Sequence, residues 1–485
     1  MSLPTANSLF TRLSLLTVFL TVTSLSFAQT PLTQGTVVTG QCFGREGAPG
    51  CVLPNLFGPQ GLTLFFNPVF PHYAHFTGSA QATLNQSLST AIATQLADLP
   101  IISPSSGFTY SYDRASGAFV RTTGSFGPIY TERAETVGRQ KVSLGVSYQR
   151  FRFNKIDGID LNNIPAVFSH VPETGAPFES DVISTTNNLQ LHMDQVMLFG
   201  TVGITDRMDV SVAIPVASVR MKASSSATII RVSGSNFTLA GNTFPNPHQF
   251  NAAGDLSANF SSSGSASGIG DITIRAKGTV LQLESTRVAL GLDVRTPSGD
   301  ARQFLGSGAL GVKPFLAVSM SKRVAPHANI GYQWNGESIL AGNITGTTIS
   351  EDSTGTVVLQ NGPAIKQKLP GQFYYALGVD IGMPKQRMTF AFDYLGQVLF
   401  NAPRVSQTTL VTTPPPGGIN EPPSQTLNTI AGIKDNMLMN SGAAGLKYNL
   451  YRNLLLTGDV LFRLDNKGLR QNVTPLVALS YTFGK

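Results

Sequence analysis

The chain has 485 residues, 41% of them hydrophobic but only 13% charged, with 34 Lys and Arg against 27 Asp and Glu for a net charge of +7. Soluble domains carry about a quarter charged residues, so a large cytosolic enzyme is disfavoured, and the normal apolar content excludes a disordered chain. A mean hydropathy of +0.07 excludes a bundle of membrane helices, which needs several apolar runs of about 20 residues.

Residues 1–28 read as a secretory signal peptide. Arg12 supplies the positive start, Leu13–Val22 the short apolar run, and Ser26-Phe27-Ala28 the small residues before cleavage at Gln29. No block of Lys or Arg follows, so no nucleic-acid partner is expected. The only cysteines, Cys42 and Cys51, frame a loop with Gly44, Gly47, Pro49 and Gly50. In an exported chain that spacing predicts a small disulfide loop. A metal pair is the weaker alternative, because no nearby His completes a ligand set.

Residues 29–139 do not look like barrel strands. Leu84, Leu88, Ile92 and Leu96 recur at every fourth position and predict a helix over Ala80–Leu99. Pro100 and Pro104 stop it. Phe108–Tyr112 and Ala118–Arg121 form a candidate hairpin around Arg114–Gly117.

From about Gln140 apolar and polar residues alternate, the period of a strand. Val288, Leu290, Leu292 and Val294, for example, interleave with Ala289, Gly291, Asp293 and Arg295. Twelve such segments follow one another, at 140–153, 190–204, 208–221, 268–282, 286–297, 310–322, 325–337, 370–382, 387–399, 437–449, 453–464 and 472–483. Each suffices to cross a bilayer as a tilted strand, which takes about 9–11 residues. The connections alternate. Turns such as Thr205–Arg207 and Lys322–Val324 are short, whereas loops 154–189, 222–267, 338–369 and 400–436 are long.

An even number of strands, short turns at one end and long loops at the other are the marks of an outer-membrane barrel. Hydrocarbon tolerates no unpaired backbone group, so a sheet survives there only without edges. The expected fold is therefore all-β: a transmembrane antiparallel β-barrel of about 12 strands over 140–485, with an N-terminal plug or periplasmic segment containing a short helix. The expected location is the outer membrane of a Gram-negative-type bacterium, with its lipids as partners. Aromatic residues near strand ends, among them Tyr148, Trp334, Phe373 and Phe462, fit interfacial girdles. Tyr481 and Phe483 end the last strand, followed by Gly484 and Lys485. They resemble the closing strand that barrel-assembly machinery recognises.

The stretches SGIGDITIRAKG (267–278), LGLDVRTPSGD (290–300), LGSGALGVKPFLAVSMS (305–321) and NIGYQWNG (329–336) resemble one family. It is the outer-membrane barrels annotated with the MetA pathway of phenol degradation, related to FadL-like transporters of fatty acids and aromatic hydrocarbons. GPIYTERAETVGRQKVSLGVSYQRF (127–151) is similar to the start of the first strand in members from environmental bacteria. The FadL-like pattern has fourteen strands, which stands as the alternative count. The resemblance implies transport of small hydrophobic or aromatic molecules.

By strand register the inward, lumen-facing charges are Arg275, Lys277, Asp293, Arg295, Lys313, His327, Asp380, Asp393, Lys447, Asp459 and Arg463. They either line a passage and set its selectivity, or pair with one another and with the plug to hold a filled barrel. Asp293 can reach across to Arg275, Lys277 or Lys313.

No catalytic, cofactor or metal constellation is expected. The six histidines, His72, His75, His170, His192, His248 and His327, include no HExxH pair. Gly306-Ser307-Gly308 lacks the strand–turn–helix setting of a nucleophile elbow. Gly268-Ile269-Gly270-Asp271 precedes a strand, not the helix a dinucleotide loop needs. His327, near Asn329, is the first residue to test for hydrolase activity. Asn154, Asp157 and Asp160 read as an Asp-Gly turn, not a calcium loop. The Ser-rich stretches 224–236 and 257–268 read as solvated, mobile loops. The leading function is passive transport of small hydrophobic or aromatic compounds. A filled structural or surface-interaction barrel is the alternative, and an outer-membrane hydrolase the third reading.

Overall fold

The computed structural model describes residues 47–58, 60–66, 73–104, 107–113, 118–121, 124–170, 180–239, 241–341, 348–351, 357–360, 366–383, 387–414 and 422–483. The signal peptide, Cys42, His72 and the 114–117 turn lie outside the described residues.

Twelve strands form the wall: β1 (Val142–Phe153), β2 (Val182–Thr205), β3 (Met208–Ile230), β4 (Thr273–Gln282), β5 (Thr286–Arg295), β6 (Gly311–Met320), β7 (Val324–Asn335), β8 (Gln372–Gly382), β9 (Met388–Val411), β10 (Thr426–Tyr451), β11 (Leu454–Arg463) and β12 (Val473–Phe483). Each pairs antiparallel with the next. β12 returns to β1, with Leu476 opposite Gln149 and Phe483 opposite Val142. The ring is closed, as the sequence alternation predicts, and no wall strand leaves a free edge to lipid. Leu144, Ile274, Leu377 and Val477 lie on the outer face, 44–58% exposed. Ser211, Ala289 and Thr474 lie on the inner face, buried to 1% or less.

The wall is uneven in height. β2, β3, β9 and β10 run 23–26 residues, about twice the length of β4, β5 and β11. Two further strands line the tall part. Ile164–Ser169 pairs with the top of β2, and Ser257–Ile269 pairs with β3 over Val216–Thr228. This corrects the expectation of mobile loops at 224–236 and 257–268: residues 224–230 finish β3, and 257–269 is its partner. The reason is that these strands alternate Ser with Ala, Gly or Ser. Backbone pairing holds them, and small side chains on both faces leave no polarity period to read.

Ser257–Ile269 and β4 are one path along β3, interrupted at Gly270–Ile272. Ile269 sits opposite Val216 and Thr273 opposite Ala213, so one residue is extra on the outer path. The bulge falls beside Pro215, which has no N–H to give; its carbonyl accepts from Gly270 N–H at 2.8 Å.

The two tall walls lean together at the long-loop end. Val167 N–H donates to Thr429 Oγ1 at 2.9 Å, and Leu410 and Leu427 pack on Val167, Val182 and Val232. Nearby, Asp157 and Gly158 both have positive φ, 48° and 86°. That is the two-residue turn of a tight hairpin, closing Ile156 against Ile159, as the Asp-Gly reading predicts.

The N-terminal residues fill the ring. The helix runs from Thr77–Ala80 through a wider π-wound stretch, Gln81–Ser89, into Thr90–Leu96. It starts and ends three residues earlier than predicted. Pro100 disfavours a helical Leu99, and the chain turns off at Ala97. Leu84, Leu88, Ile92 and Leu96 are all buried. They pack with Phe76, Phe151, Phe168, Val219 and Met221 into an apolar core within the long-loop half. Below it, the described parts of 97–141 run to β1; with the helix and the residues before it they are here called the plug. The predicted hairpin is present, with Tyr110 opposite Arg121 and Asp113 opposite Ala118.

Candidate functional site: the plugged lumen

Alternation turns every second residue of each strand inward, so the lumen collects the charges that lipid rejects. Nine of the eleven lumen candidates make ion pairs or hydrogen bonds to one another or to the plug. Asp293 on β5 accepts both forks of Arg275 on β4, at 2.6 and 2.8 Å. Lys313 on β6 lies 3.1 Å from the same carboxylate. The Arg275 guanidinium also sits 4.9 Å over the Phe315 ring, and Lys313 sits 4.8 Å over Tyr374.

The plug completes this network. Glu132 meets Lys277 at 2.8 Å and pairs with Arg275 as well. Its carboxylate also accepts from Ser103 at 2.6 Å. Lys277 gives its other protons to the carbonyls of Arg133 and Glu135, at 2.9 and 2.8 Å. All three ammonium donors are thus used on plug atoms. Glu135 sits lower, bound by Arg287 at 3.0 Å and by Ser319 at 2.6 Å, and in contact with Ser321. Burial raises its carboxyl pKa, but Arg133, the two serines and Arg287 outweigh that and hold it at about 2. Burial likewise opposes ionisation of Glu132, and Lys277 and Arg275 again bring its pKa below the ordinary value.

A second group of contacts lies next to it round the ring, on β7 to β10. Asp393 accepts from Thr131 Oγ1 at 3.0 Å and from the N–H groups of Ile129 and Tyr130. His327 bridges Asp393 and Asp380, at 2.8 and 3.6 Å. Ser125 donates to Asp380 at 3.3 Å, and Lys447 donates to the carbonyls of Phe126 and Pro128. Arg295 reaches Asp98 at 2.7 Å. The imidazole of His327 is therefore a strut between two wall carboxylates. Asp459 and Arg463 stand apart: neither forms an ion pair among the described residues.

Between plug and wall remains a cavity of about 310 Å³. Phe151, Met193, Met197 and Phe315 give it an apolar side, Arg275, Asp293 and Arg463 a side of mixed charge, and Tyr130–Glu132 of the plug bounds it. Phe315 fits because its neighbours across the sheet are Gly291 and Gly331. A Cβ on Gly291 would overlap the ring.

The sequence reading missed the plug's half of the network: Asp98, Ser103, Glu132 and Glu135. A signal was available. Glu132, Arg133, Glu135, Arg139 and Lys141 fall within ten residues of a chain that is only 13% charged. The apolar cavity residues had no signal, since Phe151 and Met193 read as ordinary strand residues.

The family model described as Putative MetA-pathway of phenol degradation matches residues 199–362. The match holds the four motifs of 267–336 in which the resemblance was read. The chain is an outer-membrane-type β-barrel. Comparison with curated proteins returns no sequence relative. Among solved structures it is similar to an outer-membrane channel from Pseudomonas putida F1, at 12% identity, 73% of this chain and 99% of that one, with a TM-score of 0.40. It is also similar to a Pseudomonas aeruginosa FadL homologue, at 10% identity, 79% and 99% coverage and a TM-score of 0.31. A mutant of the monoaromatic hydrocarbon channel TodX matches at 8% identity, 72% and 92% coverage and 0.30.

Proposed function

We propose that this barrel is a passive channel for small hydrophobic or aromatic compounds, with residues 29–139 as its plug and 140–485 as its wall. The observation that carries the reading is the cavity of about 310 Å³ between plug and wall. A filled structural barrel has no use for an internal space lined by Phe151, Phe315 and two methionines. Cavities of about 150 Å³ already take a benzene ring, so one or two rings fit. The same reading includes cleavage at Gln29, a Cys42–Cys51 disulfide and folding by the barrel-assembly machinery.

The alternative, a filled structural barrel, is favoured by one observation: nine of the eleven lumen candidates are already engaged. Flux decides between the two. Mature protein in liposomes is offered a one-ring aromatic and a sugar of similar volume. Faster entry of the aromatic, increased when residues 29–126 are deleted, supports the channel. No flux of either solute, with or without that deletion, sinks it.

A further inference from the structure

The outer face of β1, β2 and β3 carries a charge cluster that the lumen does not explain. Arg150 and Arg152 on β1, His192 and Asp194 on β2, and Arg220 and Lys222 on β3 all lie on the side that lower down bears Val146, Leu198 and Val216. Register brings them together. Arg150 is opposite Asp194 and Arg152 is opposite His192, while His192 is opposite Arg220 and Gln190 is opposite Lys222. Four permanent cations thus share one carboxylate. Asp194 is fully committed: it lies 2.6 Å from Arg220 and 3.4 Å from Arg150, and accepts from Tyr148 Oη at 2.6 Å. Among the described residues, Arg152 and Lys222 have no ion-pair partner within 4 Å.

Height identifies what the cluster faces. Asp194 is eleven residues above Thr205, the end of β2 at the short turn. At about 3.3 Å per residue and a tilt of about 45°, that is roughly 26 Å. The lipid-facing apolar band of such barrels is about 25 Å tall. The cations therefore stand at the headgroup level of the leaflet on the long-loop side. On β7, β8 and β11 the outward residues toward that end are Trp334, Phe373 and Phe462. On β2 and β3 basic residues stand where those strands carry aromatic ones, and on β1 Tyr148 lies just below them. Ser263 and Ser265, opposite Lys222 and Arg220, add hydroxyls beside it. Arginine forks suit phosphate oxygens, two bonds at a time.

We propose that the outward face formed by Arg150, Arg152, Arg220 and Lys222 is a binding site for a phosphorylated glycolipid of the outer leaflet. The acyl chains lie against Val146, Leu198 and Val216, and the headgroup phosphate lies between Arg152 and Lys222. Asp194 holds Arg150 and Arg220 upright without neutralising the group. The site rests on the outer-membrane location and is independent of whether the lumen conducts.

The test uses full-length mature protein in detergent, with bound lipid counted by native mass spectrometry. The probes are bisphosphorylated lipid A, its dephosphorylated form and inorganic phosphate. Wild type should retain lipid A and lose the dephosphorylated form. Arg152→Ser, Arg220→Ser and Lys222→Ser together should weaken retention roughly 100-fold, about a factor of five for each cation. Salt should weaken it too. A heat-dependent gel shift verifies folding, and if the triple variant lacks it, Arg152→Ser alone is read for the fivefold change. Equal retention by wild type and folded variant overturns the site. So does equal retention of the dephosphorylated lipid. Complete displacement by millimolar inorganic phosphate assigns the cluster to a free anion and overturns the lipid.

Discussion

Lys277 of the wall holds its ammonium 2.8 Å from the carboxylate of Glu132 in the plug, and the two side chains are 0% and 6% exposed. Removing Lys277 leaves the buried carboxylate with Arg275 as its one remaining ion-pair cation among the described residues, so the cost stays below the roughly 3–5 kcal/mol of a buried charge left with none. Lys277→Met should therefore lower the temperature at which the unboiled gel band converts to the slow form. It should also raise the frequency of channel openings in planar bilayers. Lys277→Met combined with Glu132→Gln should cost less than the two singles added, because neither charge is then left alone. Additive losses would mean that the pair does not couple plug to wall.

The Glu135 carboxyl predicts a dependence on acid. Its folded pKa of about 2 lies below its ordinary value of 4.5. The proton thus prefers the released plug, and the stabilisation, complete above pH 4.5, disappears as pH falls toward 2. Openings should increase across that window. Glu135→Gln should open more at neutral pH and lose the step. A step unchanged in that variant assigns the acid response elsewhere.

Gly291→Ala tests the cavity wall. The added methyl overlaps the Phe315 ring, so the ring must swing into the cavity or the strands must part. Overpacking of this kind costs about 1–3 kcal/mol. Aromatic flux should fall more than thermal stability does. Unchanged flux would show that Phe315 does not border the route.

At the long-loop end, Asp157 ties its own connection to the top of β9 and to the connection after β11. It accepts from Arg404 at 2.9 and 3.0 Å, from Val405 N–H at 3.2 Å and from Gly468 N–H at 3.1 Å. Its φ of 48° suits Asp or Asn. Asp157→Ala should speed tryptic cleavage at Arg404 and Lys467. Asp157→Asn, which keeps the turn and one acceptor, should speed it less. Equal rates in both variants would place the effect in the carboxylate charge alone and not in the turn.

What could be read from sequence divides along one physical line. The wall was legible because lipid allows almost no charge on one face. Val288, Leu290, Leu292 and Val294 announce β5 without help. The lumen register was legible by subtraction, which is why Asp293 was expected to reach Arg275. The strand tops were not, because above the membrane neither face is constrained. Ser257–Ile269 pairs as regularly as any wall strand and reads as a loop.

The plug was half legible. Its helix declared itself through Leu84, Leu88 and Ile92, since it buries an apolar stripe. Its lower part has no period. Glu132 and Glu135 matter through partners some 140 to 190 residues further along the chain, and only the closed ring brings those partners within reach.

The plug continues into β1 without a break, from Lys141 to Val142. At the far end of the lumen, Gly47 receives a hydrogen bond from Ser265 N–H at 2.8 Å. A segment fastened at both ends cannot be threaded into a finished cylinder. Whichever seam closes last, such as β12 against β1, closes around contents already tied to the wall. For this chain, order of assembly is therefore part of the structure. A variant that loosens the plug will look first like a barrel that closes slowly, and only afterwards like one that leaks.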